Sequence, residues 1–444
     1  MVLRHSAAVV CYLYIFQSRS RPNPWIPSQS PPGDSDKGDA VPESAVQARD
    51  DEVATGKKWR VLFAGCLAHI THDGFTDMLY VFFPIWQQTF LLSFFQVGLL
   101  KTSFSGTMSL LQMPAGILAR RLGILKVLCL GTLLTGAAVI ALGFAGSPLV
   151  LGALLVLGGM GSSTQHPLAS SAISSAYQGK ASRVALSTYN FSGDIGKLII
   201  PASAALLIAY AGWRWALHLL GVFGFLAAAA ILLGLLHIPL ASVTGKKAAA
   251  GTKKGGLFGS GSLPFAALSA IGVLDSATRM GFLTYLPFLL RDKGATVPTI
   301  GLALSLLFAG GALGKFVCGV AATRVGILAS VVVTELATAA CIFGMLGLSL
   351  KPALLLCPLL GIALNGTSSV LYGTVPELVP EDRRNEAFAF FYTCTIGSGG
   401  ISPLIYGMIG DFAGIKSAVT MVAITVLATI PLTLPLRGKL QDAG

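Results

Sequence analysis

The chain has 444 residues, 54% of them hydrophobic and only 11% charged, with a mean hydropathy of +0.74 and a formal net charge of +12. A soluble domain carries about 25% charge, so this chain lacks the charge to cover a water-facing surface and reads as an integral membrane protein. Its cations gather in short gaps between apolar runs, which argues against a nucleic-acid surface and fits positive-inside placement in a bilayer.

Residues 1–56 stand apart. Ala7–Phe16 is apolar but only ten residues long, too short to span a bilayer. The Pro-, Ser- and charge-rich stretch after it reads as a disordered tail. A cleaved signal peptide is the alternative. Lys57, Lys58 and Arg60 directly precede the first full apolar run and favour a cytoplasmic N-terminus, hence a tail or a start codon placed too early.

Twelve apolar runs follow, near 60–84, 92–118, 125–145, 148–172, 184–211, 214–237, 263–290, 298–321, 326–347, 352–375, 385–410 and 415–436. Each supplies the roughly 20 residues of a helical span. A β-barrel would show short alternating segments instead. Gaps after even-numbered runs hold most cations, among them Arg120, Arg121, Lys180, Arg183, Arg324, Arg383 and Arg384, which places both termini in the cytoplasm. The expected class is an all-α membrane protein of twelve transmembrane helices. Its expected domains are a 57–240 six-helix bundle, a flexible cytoplasmic linker at 241–261, a 262–437 six-helix bundle and a 438–444 tail. Six of the seven cysteines, all but Cys11, lie singly in apolar runs and read as small apolar residues.

The two halves repeat. An offset of 203 maps Pro84 to Pro287, Gly98 to Gly301, Tyr189 to Tyr392 and Gly196 to Gly399, and lays Gly116–Gly123 on Gly319–Gly326 without a gap. Two parallel six-helix repeats with a site between them near the midplane are a transporter architecture.

With its repeated G-x-x-A-x-R-x-G turns, the chain resembles the major facilitator superfamily over residues 57–437. Gly116, Leu118, Ala119, Arg121 and Gly123 match that family's loop signature. Its acidic position is Arg120 here and Thr323 in the second copy, so a different latch is implied. Gly116, Arg120, Arg121, Gly123, Gly319, Arg324 and Gly326 are the gating candidates. Ala68–Asp73 followed by Pro84, His166–Ala172, and the glycines of Asn190–Pro201 resemble the fosmidomycin-resistance branch. That resemblance implies export of small amphipathic or anionic compounds.

The first run carries His69, His72, Asp73, Thr76 and Tyr80 on one helical face, with Asp77 at its edge. Counted from Arg60, His69 to Asp73 lie roughly 14–20 Å deep. Two aspartates at that depth cost about 5–7 kcal/mol on insertion scales, against roughly 0.3–0.6 returned per large apolar residue. The stripe therefore faces other helices or a water-filled cavity. His69, His72, Asp73 and Asp77 are the proton-coupling candidates, because histidine titrates near neutrality. The alternative is that they only tie helices together. His69, His72 and Asp73 can also ligate zinc on one face, but no cysteine or distant histidine is clearly paired with them, so no metal site is expected.

In the fifth run Asn190, Asp194 and Lys197 form a second stripe, and Asp194 is expected to pair with Lys197 at i,i+3. The second half offers Asp275, Arg279 and Asn365 as cavity residues, with Arg279 suited to an anionic substrate group. Lys315 has the choice of snorkelling. His166 is expected near the cytoplasmic end of the fourth run as a gate or helix-end bond. No phosphate-binding loop is present, no cofactor is expected, and energy is expected from a proton gradient. The expectation is a monomeric secondary transporter of the bacterial cytoplasmic membrane, not an enzyme, that exports its small-molecule substrate with proton coupling. Import of an organic anion is the alternative, and a non-transporting sensor the more distant one.

Overall fold

The computed structural model describes residues 43–235, 263–380 and 383–437. Residues 1–42 and the 241–261 linker lie outside the described residues. The chain divides into two compact units, Met1–Glu52 and Val53–Gly444; in the first, residues 43–52 are helical. The described elements are α1 Glu43–Phe90, α2 Phe94–Leu122, α3 Ile124–Leu142, α4 Pro148–Ser162, α5 Gln165–Ala176, α6 Gly179–Leu235, α7 Leu263–Asp292, α8 Val297–Val325, α9 Ile327–Gly347, α10 Leu350–Leu378, α11 Arg384–Ala413 and α12 Ile415–Leu427. A short 3₁₀ turn, Pro431–Leu436, follows α12.

The bounds differ from the apolar runs in four places. Helix α1 begins at Glu43, ahead of the first run and within the stretch expected to be a disordered tail. The fourth run breaks into α4 and α5 at Ser163 and Thr164. The fifth and sixth runs form α6, continuous except for a kink at Gly212, where φ is 81°. The last run ends as a 3₁₀ turn rather than an α-helix. Among the described residues, eight segments are long and apolar enough to cross a membrane, and one of them, Gly179–Gly234, has the length for two crossings. Helices α1, α2 and α7 fall outside that set. They carry Asp73 and Asp77, Lys101, and Asp275 with Arg279 respectively.

The repeat recurs in backbone detail. Gly123 and Gly326 take φ of 95° and 88° at matching helix junctions, and Gly212 and Gly414 take 81° and 84°. In these left-handed conformations a Cβ is costly. Gly98 of α2 lies against the backbone of Pro403 and Leu404 in α11, while its counterpart Gly301 of α8 lies against Ala202 and Ala205 in α6. The two halves thus meet along two related seams, α2 on α11 and α8 on α6. Thr102 Oγ1 donates to Gly400 O at 2.7 Å on one seam, and Ser305 Oγ donates to Leu198 O at 2.8 Å on the other.

The two ends of the molecule differ. At one end a single apolar core joins both halves, including Phe82, Phe83 and Trp86 with Phe282, Tyr285 and Phe288. Polar contacts reinforce it. Arg291 donates to Pro84 O and Gln87 Oε1 at 3.0 and 2.8 Å, and the Asp411 carboxylate accepts from the Phe94 and Phe95 amides at 2.6 and 2.9 Å. At the other end each half keeps its own core. One is built around Val61, Ala68, Leu128 and Ile173, the other around Leu268, Ile271, Leu371 and Phe391. The halves are therefore sealed at the end near Pro84 and Pro287 and separate at the end near Gly123 and Gly326.

Candidate functional site

The opening stripe of α1 is buried, and small residues on α6 let a second helix come against it. A Cβ at Gly193 would stand 2.6 Å from both Asp73 Oδ2 and His69 Cε1, and one at Gly196 would strike the backbone of Ile70. The His69 ring stacks on Tyr189, with centroids 4.2 Å apart, and Nδ1 donates to Tyr189 O at 2.7 Å. That bond fixes the tautomer and turns Nε2 toward Asp73 Oδ2 at 3.3 Å. Lys197 Nζ approaches the same oxygen at 3.3 Å. The other oxygen, Oδ1, lies 3.7 Å from both His72 Nε2 and His166 Nε2. Those two nitrogens are 3.1 Å apart, so one ring donates a hydrogen to the other. A buried carboxylate is tolerated when paired and hydrogen-bonded, and Asp73 meets one lysine and three imidazoles.

Two expectations are corrected. His166 does not close its span near a membrane face. Because the chain turns at Ser163 and Thr164 and resumes helix at Gln165, His166 sits at the start of α5, ten residues before its end, and enters the Asp73 cluster. Asp194 and Lys197 are not each other's nearest partners. Lys197 reaches Asp73 on α1, and Asp194 accepts from Lys315 Nζ on α8 at 2.6 Å. Lys315 is thus paired across the halves rather than snorkelling. Spacing along one helix shows which residues share a face, but not which charge a neighbouring helix brings closer.

In the second half, Asp275 is buried on α7, and no ion pair joins it to Arg279 among the described residues. Arg279 Nη1 instead donates to Ser368 Oγ at 3.4 Å, and its Nε is buried without a partner. Asp275, Arg279 and Ser368 line a cavity of about 10 Å³, room for about one water. Asn365 donates to Gly361 of its own helix at 3.3 Å and packs on Gly311. Asn190 is exposed.

The gating candidates lie at the separated end. Arg120, Arg121 and Arg324 are exposed, and Gly319, Arg324 and Gly326 line an open cavity of about 560 Å³.

Sequence reasoning passed over two buried charges. Lys101 is fully buried, its Nζ lacks a hydrogen-bond partner, and it lies 4.5 Å over the Tyr80 ring. Asp77 is among its electrostatic neighbours, and the Tyr80 hydroxyl donates to Met280 Sδ of the other half at 3.4 Å. Glu335 is buried on α9, with Oε1 unpartnered and with Asp275 and Arg279 as its charged neighbours. Placement inside a span was the available signal: Lys101 is the eighth residue of a 29-residue helix and Glu335 the ninth of 21, and an ionisable residue within a span is costly where it faces lipid.

Three comparisons bear on this arrangement. The sequence profile of the Major Facilitator Superfamily matches residues 65–273 and 268–442. The fosmidomycin resistance protein of Escherichia coli strain K12 is 29% identical over 170 residues, covering 38% of this chain and 41% of that one. The probable sulfoacetate transporter SauU of Cupriavidus necator is 32% identical over 142 residues, covering 31% and 32%. The chain thus aligns with less than half the length of either relative. Among solved structures, a bacterial homologue of the human lysosomal transporter Spinster, in an inward-facing and unoccupied conformation, superposes with a TM-score of 0.71 at 19% identity, covering 87% of this chain and 98% of that one. A point mutant of the nucleoside transporter NupG gives a TM-score of 0.67 at 14% identity, covering 86% and 99%.

Proposed function

Because the chain belongs to the Major Facilitator Superfamily, a family of membrane transporters, we propose that it is a proton-coupled secondary transporter exporting a small anionic or amphipathic compound by alternating access. The observation that carries this reading is the buried Asp73 cluster, set in one half and connected to the other through Lys197, Asp194 and Lys315. Asp73 and its three imidazoles offer carboxylate and ring nitrogens that can exchange protons as water enters or leaves. Lys315 and Lys197 keep 41% and 30% of their side chains exposed, so an anionic group entering between the halves can compete with the carboxylates for them.

In this reading the separated end is the cytoplasmic one, consistent with the cations in its loops, and the state seen here faces inward. Both termini lie in the cytoplasm of a bacterial cell, and the energy source is the proton gradient. Export is favoured over import by the likeness to the fosmidomycin resistance protein. The test is flux in proteoliposomes under an imposed pH gradient, beginning with fosmidomycin and sulfoacetate because two relatives bear those names. Accumulation that follows the proton gradient and collapses with a protonophore supports the reading. Flux indifferent to the gradient removes the coupling, and accumulation with the reverse sign favours import.

A further inference from the structure

We propose that His69, Asp73 and His166, with His72 as a fourth donor, form a binding site for one divalent cation of the zinc class inside the first half. The distant histidine that the α1 pattern alone could not supply is His166, delivered by the break between α4 and α5. The donor atoms of His69, Asp73 and His166 lie within 4.8 Å of one another. Metal–ligand bonds of about 2.0–2.1 Å in a tetrahedron put donors ~3.3 Å apart. Individual spacings lie near that value: 3.3 Å for His69 Nε2 to Asp73 Oδ2, 3.7 Å for His166 Nε2 to the other oxygen, Oδ1, and 3.1 Å between His72 and His166 Nε2, so the side chains close in around the ion when it binds. The outer shell is also built. His69 Nδ1 donates to Tyr189 O, the orientation in which a ligating histidine is normally held.

The donor set names the cation class. Imidazoles with one carboxylate suit zinc, copper or nickel, whereas magnesium and calcium require oxygen ligands. His166 keeps 43% of its side chain exposed, which gives a path of entry and leaves room for a water or another ligand on the metal. Lys197, 3.3 Å from Asp73 Oδ2, opposes the cation. It is itself partly exposed and has Asp194 among its charged neighbours, so binding displaces it toward that carboxylate. The inference does not rest on proton coupling, because a metal complex forms without gradient or substrate.

The experiment titrates the purified full-length protein with Zn²⁺ against a chelating indicator, with no gradient and no substrate present. One ion per chain is expected, retained against excess Mg²⁺. His166→Gln and His69→Gln should each weaken binding by about 10-fold or more, the scale on which even outer-shell losses are felt. His218→Gln, elsewhere in α6, should leave binding unchanged. Lys197→Met should tighten it by at least about five-fold, because a repelling charge is gone; misfolding cannot produce such a gain. No saturable Zn²⁺ binding, an affinity unmoved in both histidine variants, or weaker binding in Lys197→Met would overturn the site.

Discussion

Lys315 and Asp194 form an ion pair that crosses from one half to the other, and removing it should loosen the state seen here. Exposed pairs yield about 0.2–1 kcal/mol, and breaking a fully buried pair costs about 3–5 kcal/mol. Lys315 is 41% exposed and Asp194 12%. Solvent therefore screens the lysine end, and a coupling energy of ~1–2 kcal/mol follows. The single variants should be milder than a buried break. Asp194→Asn leaves Lys315 free to extend its stem into water. Lys315→Met leaves Asp194 with Lys197 as a charged neighbour. Where the pair exists in only one of two states, its loss moves their ratio by about 5- to 30-fold. The assay is a double-mutant cycle on thermal unfolding, joined to a distance measurement between labels at Arg120 and Arg324, which are exposed at the separated end. Losses that add within about 0.3–0.5 kcal/mol, with an unchanged distance distribution, would refute a cross-half latch.

Three further outcomes are expected. Asp73→Asn should abolish proton-driven accumulation while sparing counterflow exchange, and equal loss of both, with a lowered melting temperature, would return the cluster to a purely structural role. Gly193→Ala should destabilise by about 1–3 kcal/mol, since its Cβ would meet Asp73 and His69 at 2.6 Å; Gly234→Ala, with nothing within 4 Å, is the control that should not, and equal melting temperatures for the two would sink the close-approach argument. Arg291→Gln removes the bonds to Pro84 O and Gln87 and should cost about 1–3 kcal/mol, read as greater solvent accessibility at the sealed end by hydrogen exchange.

Much of the architecture was legible in the sequence because the bilayer imposes it: apolar runs of fixed length and a constant offset between the halves each have one physical reading. The α1 stripe was legible for the same reason, since two aspartates at mid-depth must be turned away from lipid. Partnership was not legible. Lys197 chooses Asp73 over Asp194, and His166 reaches Asp73 from another helix, because contacts between helices depend on how closely they approach. That approach is set by Gly193 and Gly196 and by the break at Ser163, none of which announces its neighbour. Lys101 and Glu335 were missed for a simpler reason. Each is a lone charge in an apolar run, without a periodic companion to mark a face.

The aromatic seal at the end near Pro84 and Pro287 has a thermal consequence. Trp86, Phe82 and Phe83 meet Phe282, Tyr285 and Phe288 in one core that both halves share. Under alternating access, opening that end hydrates these rings, and hydration of apolar surface raises the heat capacity. The opening equilibrium should therefore curve with temperature rather than follow a straight van't Hoff line. Because apolar association weakens on cooling, cold should favour opening at the sealed end, whereas a seal made of ion pairs would respond chiefly to salt. A linear temperature dependence of the label distance across that end, together with strong salt sensitivity, would show that the polar contacts of Arg291 and Asp411, not the rings, hold it shut.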